Sequence, residues 1–267
     1  MFQFFLSSIR LGLRGRSFYA AFLLGVVLMI GAYLSGYFSP RQPKTVALDV
    51  GFSGLRFSVV MLGLLWVQEM VGSEINRKTV WFSLAYPVSR HAYLAGRFLG
   101  VVALIGLACI VISLLLWLVV FSAGGGYEQE LSVHLGFSYW LTVFGFWLDA
   151  VVVASFALWI ASLSTVSFLP FVLGLAFAVS GKALGSVMDY LGRGADGDAE
   201  MVARFDPLIF TIKWVLPDLS RLDWRSWPMY AMTPDYANVM FACVMALAYV
   251  GLMVAMAVII FSRREFA

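Results

Sequence analysis

Long apolar runs without charge constrain this chain more than any other feature. Residues 101–121 contain no charged side chain, and five further apolar runs lie along the sequence. A helix needs about 20 mostly apolar residues to cross a bilayer. Of the 267 residues, 62% are hydrophobic and 12% are charged, whereas soluble domains carry about 25% charged residues. No soluble fold of this length hides so much apolar surface. The sequence therefore predicts an all-α integral membrane protein with one transmembrane domain.

Six spans are predicted, and polar segments separate them. The spans are residues 18–37, 57–71, 98–121, 139–161, 168–188 and 239–261. Residues 1–16 place Phe2, Phe5, Ile9 and Leu13 three or four apart and carry arginines near their end, which predicts an amphipathic helix on the membrane surface. A mixed segment around Asp49 and Arg56 is predicted at the outer interface. Residues 189–235 form a long extracytoplasmic loop whose short apolar middle lies at the interface or re-enters shallowly.

The distribution of cations predicts that both termini are cytoplasmic. Positive side chains near the ends of spans favour the cytoplasmic side, and long loops are discounted. Nine such cations fall on the side of the termini: Arg10, Arg14, Arg16, Arg77, Lys78, Arg90, Arg97, Arg263 and Arg264. The short loops on the other side hold Arg41 and Lys44, with Arg56 at its border. An even number of spans also places both termini on the same side of the membrane. The predicted location is the cytoplasmic (inner) membrane.

The loop at residues 72–97 joins spans two and three and divides at Pro87. Residues 72–84 can form a short helix in which Glu74 and Lys78 are spaced i,i+4 in the favourable order. Pro87 ends that helix, because the residue before a proline avoids helical geometry. Ser89 can cap a second helix that runs into span three. Two interpretations remain open on these residues, a docking elbow for a soluble partner and an ordinary positive loop.

Asp149 is the most informative residue within the predicted spans. It lies near the middle of span four, where an ionisable side chain costs about 3 kcal/mol or more unless it faces a cavity or a partner. Lys182 in span five is the predicted partner, because a tight turn makes the two spans neighbours. An intramembrane ion pair, a contact with substrate and a neutral aspartic acid are the three interpretations that remain open.

The sequence lacks the motifs of several classes of function. The nearest approach to a phosphate-binding loop, 180–183, lacks the upstream glycine and the Ser or Thr after Lys182. No metalloprotease motif, paired intramembrane carboxylates or serine–histidine pair occurs at depth, so the chain is predicted not to be an enzyme. Cys109 and Cys243 lie in apolar runs without ligand spacing. The net charge of +3 gives no reason to expect a nucleic-acid partner.

The 72–97 loop resembles a segment of type-2 ABC transporter permeases (the ABC-2 family). Three pieces carry the resemblance: Glu74 to Thr79 (EINRKT), Pro87 to Arg90 (PVSR), and Tyr93 to Arg97 (YLAGR). Lys78 departs from the glycine more usual at that place. The layout is also similar, with six spans, a basic amphipathic start and a long outer loop before span six, where the resemblance implies short outer helices that close the pathway. The chain looks most like the small exporter permeases associated with multi-copper enzyme maturation.

The resemblance implies a function and a set of partners. Two permease chains, identical or different, would form the pathway, and two separate ATPase subunits would bind ATP and Mg²⁺; this chain would bind no cofactor itself. The positions implied to couple to the ATPase are Glu74, Arg77, Lys78, Thr79, Pro87 and Arg90. Two rivals remain: a non-transporting membrane assembly or anchor factor driven by such an ATPase, and a membrane-embedded enzyme. The sequence does not name the substrate.

Overall fold

The computed structural model describes residues 2–76, 89–123, 132–192 and 217–263. These residues fold into helices joined by turns, and no strand occurs among them, which confirms the predicted all-helical class. The helices are α1 (Phe2–Arg14), α2 (Arg16–Tyr37), α3 (Pro43–Val67), α4 (Ser73–Asn76), α5 (Arg90–Ser122), α6 (Phe137–Leu163), α7 (Leu169–Gly192), α8 (Ser226–Met229) and α9 (Tyr236–Arg263). A π-helical turn, Gln68–Gly72, joins α3 to α4, and a 3₁₀ helix, Leu219–Leu222, precedes α8.

Five helical stretches are long and apolar enough to cross a membrane. They are Pro43–Gly72, Arg90–Ser122, Phe137–Leu163, Leu169–Met188 and Tyr236–Arg263. The chain is therefore a multi-pass membrane protein. In α2 the stretch Phe22–Tyr37 forms a shorter apolar helix, so the described residues contain five candidate spans where the sequence predicted six.

The second predicted span starts much earlier than the sequence indicated. Its helix begins at Pro43, a residue favoured in the first helical turn, and not at residue 57. The prediction that Asp49 and Arg56 lie in a separate interfacial segment is wrong, since both belong to α3. Their charges suggested an interface, but partners on other elements neutralise them, so an unbroken helix can carry them.

The third predicted span is also longer, and its start confirms the predicted cap. Helix α5 begins at Arg90, because the hydroxyl of Ser89 accepts a hydrogen bond from the backbone N–H of Ala92 at 3.4 Å. The shorter helix predicted over residues 72–84 is described only as far as α4. The predicted break at Pro87 lies outside the described residues.

Helix α3 is the centre of the bundle. It packs against α2, α5, α6 and α7, and α9 packs against α6 and α5. The fully buried side chains of Phe52 and Trp66 contribute to this core. In the spans of α7 and α9 only 22% of the central residues are buried within the single chain, so lipid or another protein has access to the partly and fully exposed ones.

The first helix lies against α5. Ser8 is buried at this contact, and the close approach requires Gly100, because a Cβ atom there would lie 2.4 Å from the Cβ of Ser8. Arg10 and Arg14 remain exposed together with Leu6 and Leu11. The helix predicted within residues 1–16 is present, and its position at a membrane surface stays a prediction.

Candidate functional site: a buried charge cluster

An ion pair between α3 and α6 lies deep in the bundle. Arg56 Nε donates a hydrogen bond to Asp149 Oδ2 at 2.6 Å. Arg56 is 7% exposed and Asp149 is 2% exposed, and each lies near the middle of its helix. The guanidinium also lies over the ring of Phe146, with its central carbon 5.9 Å from the ring centroid. A charge at such depth requires an opposite charge, and here each group supplies it to the other.

The segment before α9 adds a second carboxylate to the same arginine. Arg56 Nη1 donates to Asp223 Oδ2 at 3.1 Å, and Nη2 donates to the backbone oxygen of Leu219 at 3.3 Å. Arg225 Nε donates to Asp223 Oδ1 at 2.8 Å, and its Nη1 donates to Asp49 Oδ1 at 3.0 Å. The result, here called the charge cluster, joins Arg56, Asp149, Asp223, Arg225, Asp49 and Lys182.

Its cations keep Asp223 ionised. Burial alone would raise the pKa of this carboxyl, but the hydrogen bond and charge of Arg225 and the charges of Arg56 and Lys182 together hold the pKa below its usual range. Burial also opposes the charged form of Arg225, yet its bonds to Asp223 and Asp49 raise the pKa of its guanidinium. The cluster balances three positive against three negative side chains.

The predicted pair of Asp149 with Lys182 is replaced by two other contacts. Asp149 contacts Arg56, and Lys182 Nζ lies 3.9 Å from Asp223 Oδ2. The side chain of Lys182 is 50% exposed, so it forms the edge of the charge cluster and does not enter the core. Helices α6 and α7 are neighbours as expected. The buried guanidinium on α3 instead supplies the partner of Asp149, through one charge-assisted hydrogen bond.

Residues 217–229, here called the inserted segment, sit among α3, α6 and α7. Leu219, Leu222, Trp224 and Met229 are buried. The segment fits because glycines face it: a Cβ atom would lie 2.5 Å from the Leu222 oxygen at Gly145, and 1.9 Å from Ser220 Oγ at Gly185. Thr142 Oγ1 also donates to the backbone oxygen of Trp224 at 3.1 Å. Thus ion pairs, hydrogen bonds to backbone oxygens and close packing against glycines hold the inserted segment in the bundle.

A second polar cluster joins α4, which lies in the connection between α3 and α5, to α5 and α1. Glu74 of α4 accepts a hydrogen bond from Tyr93 Oη at 2.5 Å and forms an ion pair with Arg97, both on α5. Arg97 Nη1 donates to the hydroxyl of Ser8 on α1 at 3.3 Å. Glu74, predicted to couple to a partner, therefore has partners inside the chain. Its network joins three helices.

The other predicted coupling residues divide into two groups. Arg90 Nη1 donates to the backbone oxygen of Ser262 at 3.2 Å, which ties the start of α5 to the end of α9. Arg77, Lys78, Thr79 and Pro87 lie outside the described residues.

Sequence reasoning missed Arg56 as a buried residue and missed the roles of Asp223 and Arg225. One signal was present: Arg56 and Asp149 are opposite charges, each flanked by apolar residues, and such groups in membrane proteins pair. No comparable signal placed Asp223, because residues 189–235 contain many charges. Within the described residues, no three His, Cys, Asp or Glu side chains come together in a way that could hold a metal ion.

Comparison with known proteins adds no family to this description. The chain matches no protein-family model and no curated protein. The class that its fold and site define is a multi-pass helical membrane protein with a charged centre.

Proposed function

We propose that this chain is the permease subunit of an ATP-driven exporter of the ABC-2 type. Two permease chains would form the pathway, and two separate ATPase subunits would bind ATP and Mg²⁺. Helix α2 would be the sixth span: its 22 residues rise about 33 Å, against a hydrocarbon thickness of about 30 Å. Both termini and the α3–α5 connection would then face the cytoplasm, in accord with the cations near them.

The observation that supports this proposal best is the network around Glu74. A partner that pushes on the α3–α5 connection needs a stiff link to the spans. Glu74, Tyr93 and Arg97 provide one, because they connect α4 to α5 within hydrogen-bonding distance and extend to Ser8 on α1. Helix α1 and the start of α5 would therefore move with the connection when the ATPase subunits close.

The first experiment identifies the partner. The tagged chain is purified in mild detergent from membranes of its native host, and the co-purified proteins are identified by mass spectrometry. We expect a stoichiometric subunit with a phosphate-binding loop of the form G-x-x-x-x-G-K-[ST]. Reproducible purification without any such subunit would contradict the proposal. If the subunit is present but no cargo moves in reconstituted vesicles, the chain is instead a non-transporting membrane factor.

Charge reversal then tests the docking positions. In the double variant Arg77→Glu and Lys78→Glu, we expect the yield of co-purified ATPase to fall about tenfold or more, which corresponds to about 1.4 kcal/mol. The matched control is Arg41→Glu, an exposed arginine on the predicted outer side, which should leave the yield unchanged. Equal yields from both variants would remove the docking role of these positions.

Cysteine labelling tests the proposed orientation of the chain in the membrane. A cysteine introduced at Gly197 in a background with Cys109 and Cys243 replaced should react with an impermeant maleimide added outside intact cells. Reaction only after the cytoplasmic side is opened would reverse the proposed topology.

A further inference from the structure

The contacts of Asp223 differ from those of the other carboxylates in the cluster. Asp149 lies on a spanning helix and is fixed to Arg56. Asp223 belongs to the inserted segment, and two of its three cations belong to the bundle: Arg56 on α3 and Lys182 on α7. Its third cation, Arg225, is carried by the segment itself. The segment thus presents a carboxylate to a pair of cations on two different helices.

We infer that Arg56 and Lys182 form a binding site for the anionic head of an amphipathic molecule, and that the inserted segment occupies it with Asp223. The inference goes beyond the proposed function, because it assigns a ligand class and requires no ATPase.

The charge balance supports the assignment. When the inserted segment leaves, it removes Asp223 together with Arg225, and the half-exposed Asp49 on α3 loses its contact with Arg225. The bundle keeps the pair of Arg56 with Asp149, but Arg56 Nη1 and Lys182 Nζ lose the carboxylate that both now contact. A second anion at the same place restores both lost contacts through charge-assisted interactions. Lys182 is half exposed, so a ligand can reach it.

The apolar part of the ligand follows from the surface against which the inserted segment packs. Leu219 and Leu222 are buried, and the side chain of Leu219 lies against Gly181 on α7. Because a glycine has no side chain that selects the shape of its neighbour, a hydrocarbon chain can replace the Leu219 side chain. An anionic head with an apolar chain therefore reproduces both parts of what the segment supplies. The head chemistry, a phosphate or another oxyanion, is shared by free anions and by lipid headgroups.

Cysteine labelling reports whether the segment leaves. Leu222→Cys and, separately, Leu219→Cys are made in the full chain with Cys109 and Cys243 replaced, and each is reconstituted in phosphatidylcholine nanodiscs. Both positions are buried, so reaction with a water-soluble maleimide measures opening. Met232 is 54% exposed, so Met232→Cys is the control for intrinsic reactivity.

Two arms identify the source of the anion. Inorganic phosphate is added to the phosphatidylcholine nanodiscs, or phosphatidylglycerol replaces part of their lipid. We expect the labelling rate to rise about tenfold in the phosphatidylglycerol arm, equivalent to about 1.4 kcal/mol, and Lys182→Gln to remove that rise. A response restricted to phosphatidylglycerol assigns a lipid, and a response to phosphate alone would assign a free anion and overturn the amphipathic part of the assignment. No response in either arm, or an unchanged response in Lys182→Gln, would overturn the assignment.

A second variant tests the occupancy by Asp223 without any ligand. Asp223→Asn should raise labelling about tenfold in plain phosphatidylcholine, equivalent to about 1.4 kcal/mol. Asp218→Asn is the matched control, because Asp218 lies in the same segment and contacts Arg221 and Ser220 instead of the bundle cations. Equal rates in the two variants would show that Asp223 does not hold the segment in place.

Discussion

The pairing of Asp149 gives the sharpest test of the charge cluster. Replacing Arg56 by Met leaves Asp149, 2% exposed, without its ion-pair partner, and we expect this to cost about 3–5 kcal/mol of unfolding free energy. Replacing Asp149 by Asn should cost less, about 1–3 kcal/mol. The amide can still accept from Arg56 Nε, and Arg56 keeps its bonds to Asp223 and Leu219.

The double variant separates the two candidate partners of Asp149. Combining Arg56→Met with Asp149→Asn removes the buried unpaired charge, so we expect a favourable coupling of about 2–3 kcal/mol. Combining Lys182→Met with Asp149→Asn should give a coupling below about 0.5 kcal/mol, because Lys182 is half exposed and contacts Asp223.

Unfolding in mixed detergent micelles, followed by near-ultraviolet circular dichroism as the denaturing detergent is increased, measures both couplings. Arg41→Met serves as the control for loss of an exposed arginine and should change stability by less than about 0.5 kcal/mol. A coupling to Lys182 equal to or larger than the coupling to Arg56 would refute the arrangement described above.

Three further predictions concern the inserted segment and the network near α1. Gly145→Ala places a Cβ atom 2.5 Å from the Leu222 carbonyl oxygen and should cost about 1–3 kcal/mol in the same unfolding assay, whereas Gly31→Ala, at a position open to solvent or lipid, should cost nothing measurable. Tyr93→Phe removes a buried 2.5 Å hydrogen bond to a carboxylate and should cost about 1–3 kcal/mol, with faster hydrogen exchange in α1. Because the pKa of Asp223 is lowered in the fold, its stabilisation is full above its unfolded pKa of about 3.9 and is lost as the pH falls through the lower folded value. The stability difference between the parent chain and Asp223→Asn should therefore shrink below about pH 4, and a constant difference from pH 7 to pH 3 would contradict this.

The two polar clusters connect different sets of helices. The Glu74 network connects α4, α5 and α1 near one end of the bundle. The charge cluster connects α3, α6 and α7 to the inserted segment near the middle of α3 and α6. Helix α3 belongs to the second cluster and leads through its π-helical turn into the first. A π-helical turn within a helix often marks a functional position, and here it lies between the two clusters.

The sequence by itself determined the features that depend on neighbouring residues. Uncharged runs such as 101–121 indicate membrane helices because burial of backbone groups in lipid requires helices, and the local signal of Ser89 correctly placed the start of α5. The start of α3 was misjudged because Arg56 suggested an interface, and no local pattern shows that Asp149, 93 residues away, neutralises it. Tertiary structure alone decided that pairing and the position of Asp223, 167 residues from Arg56. The charges of residues 189–235 fit a solvated loop equally well. Residues 217–229 pack into the bundle because packing brings together glycine surfaces and cations of α3, α6 and α7 that contact them.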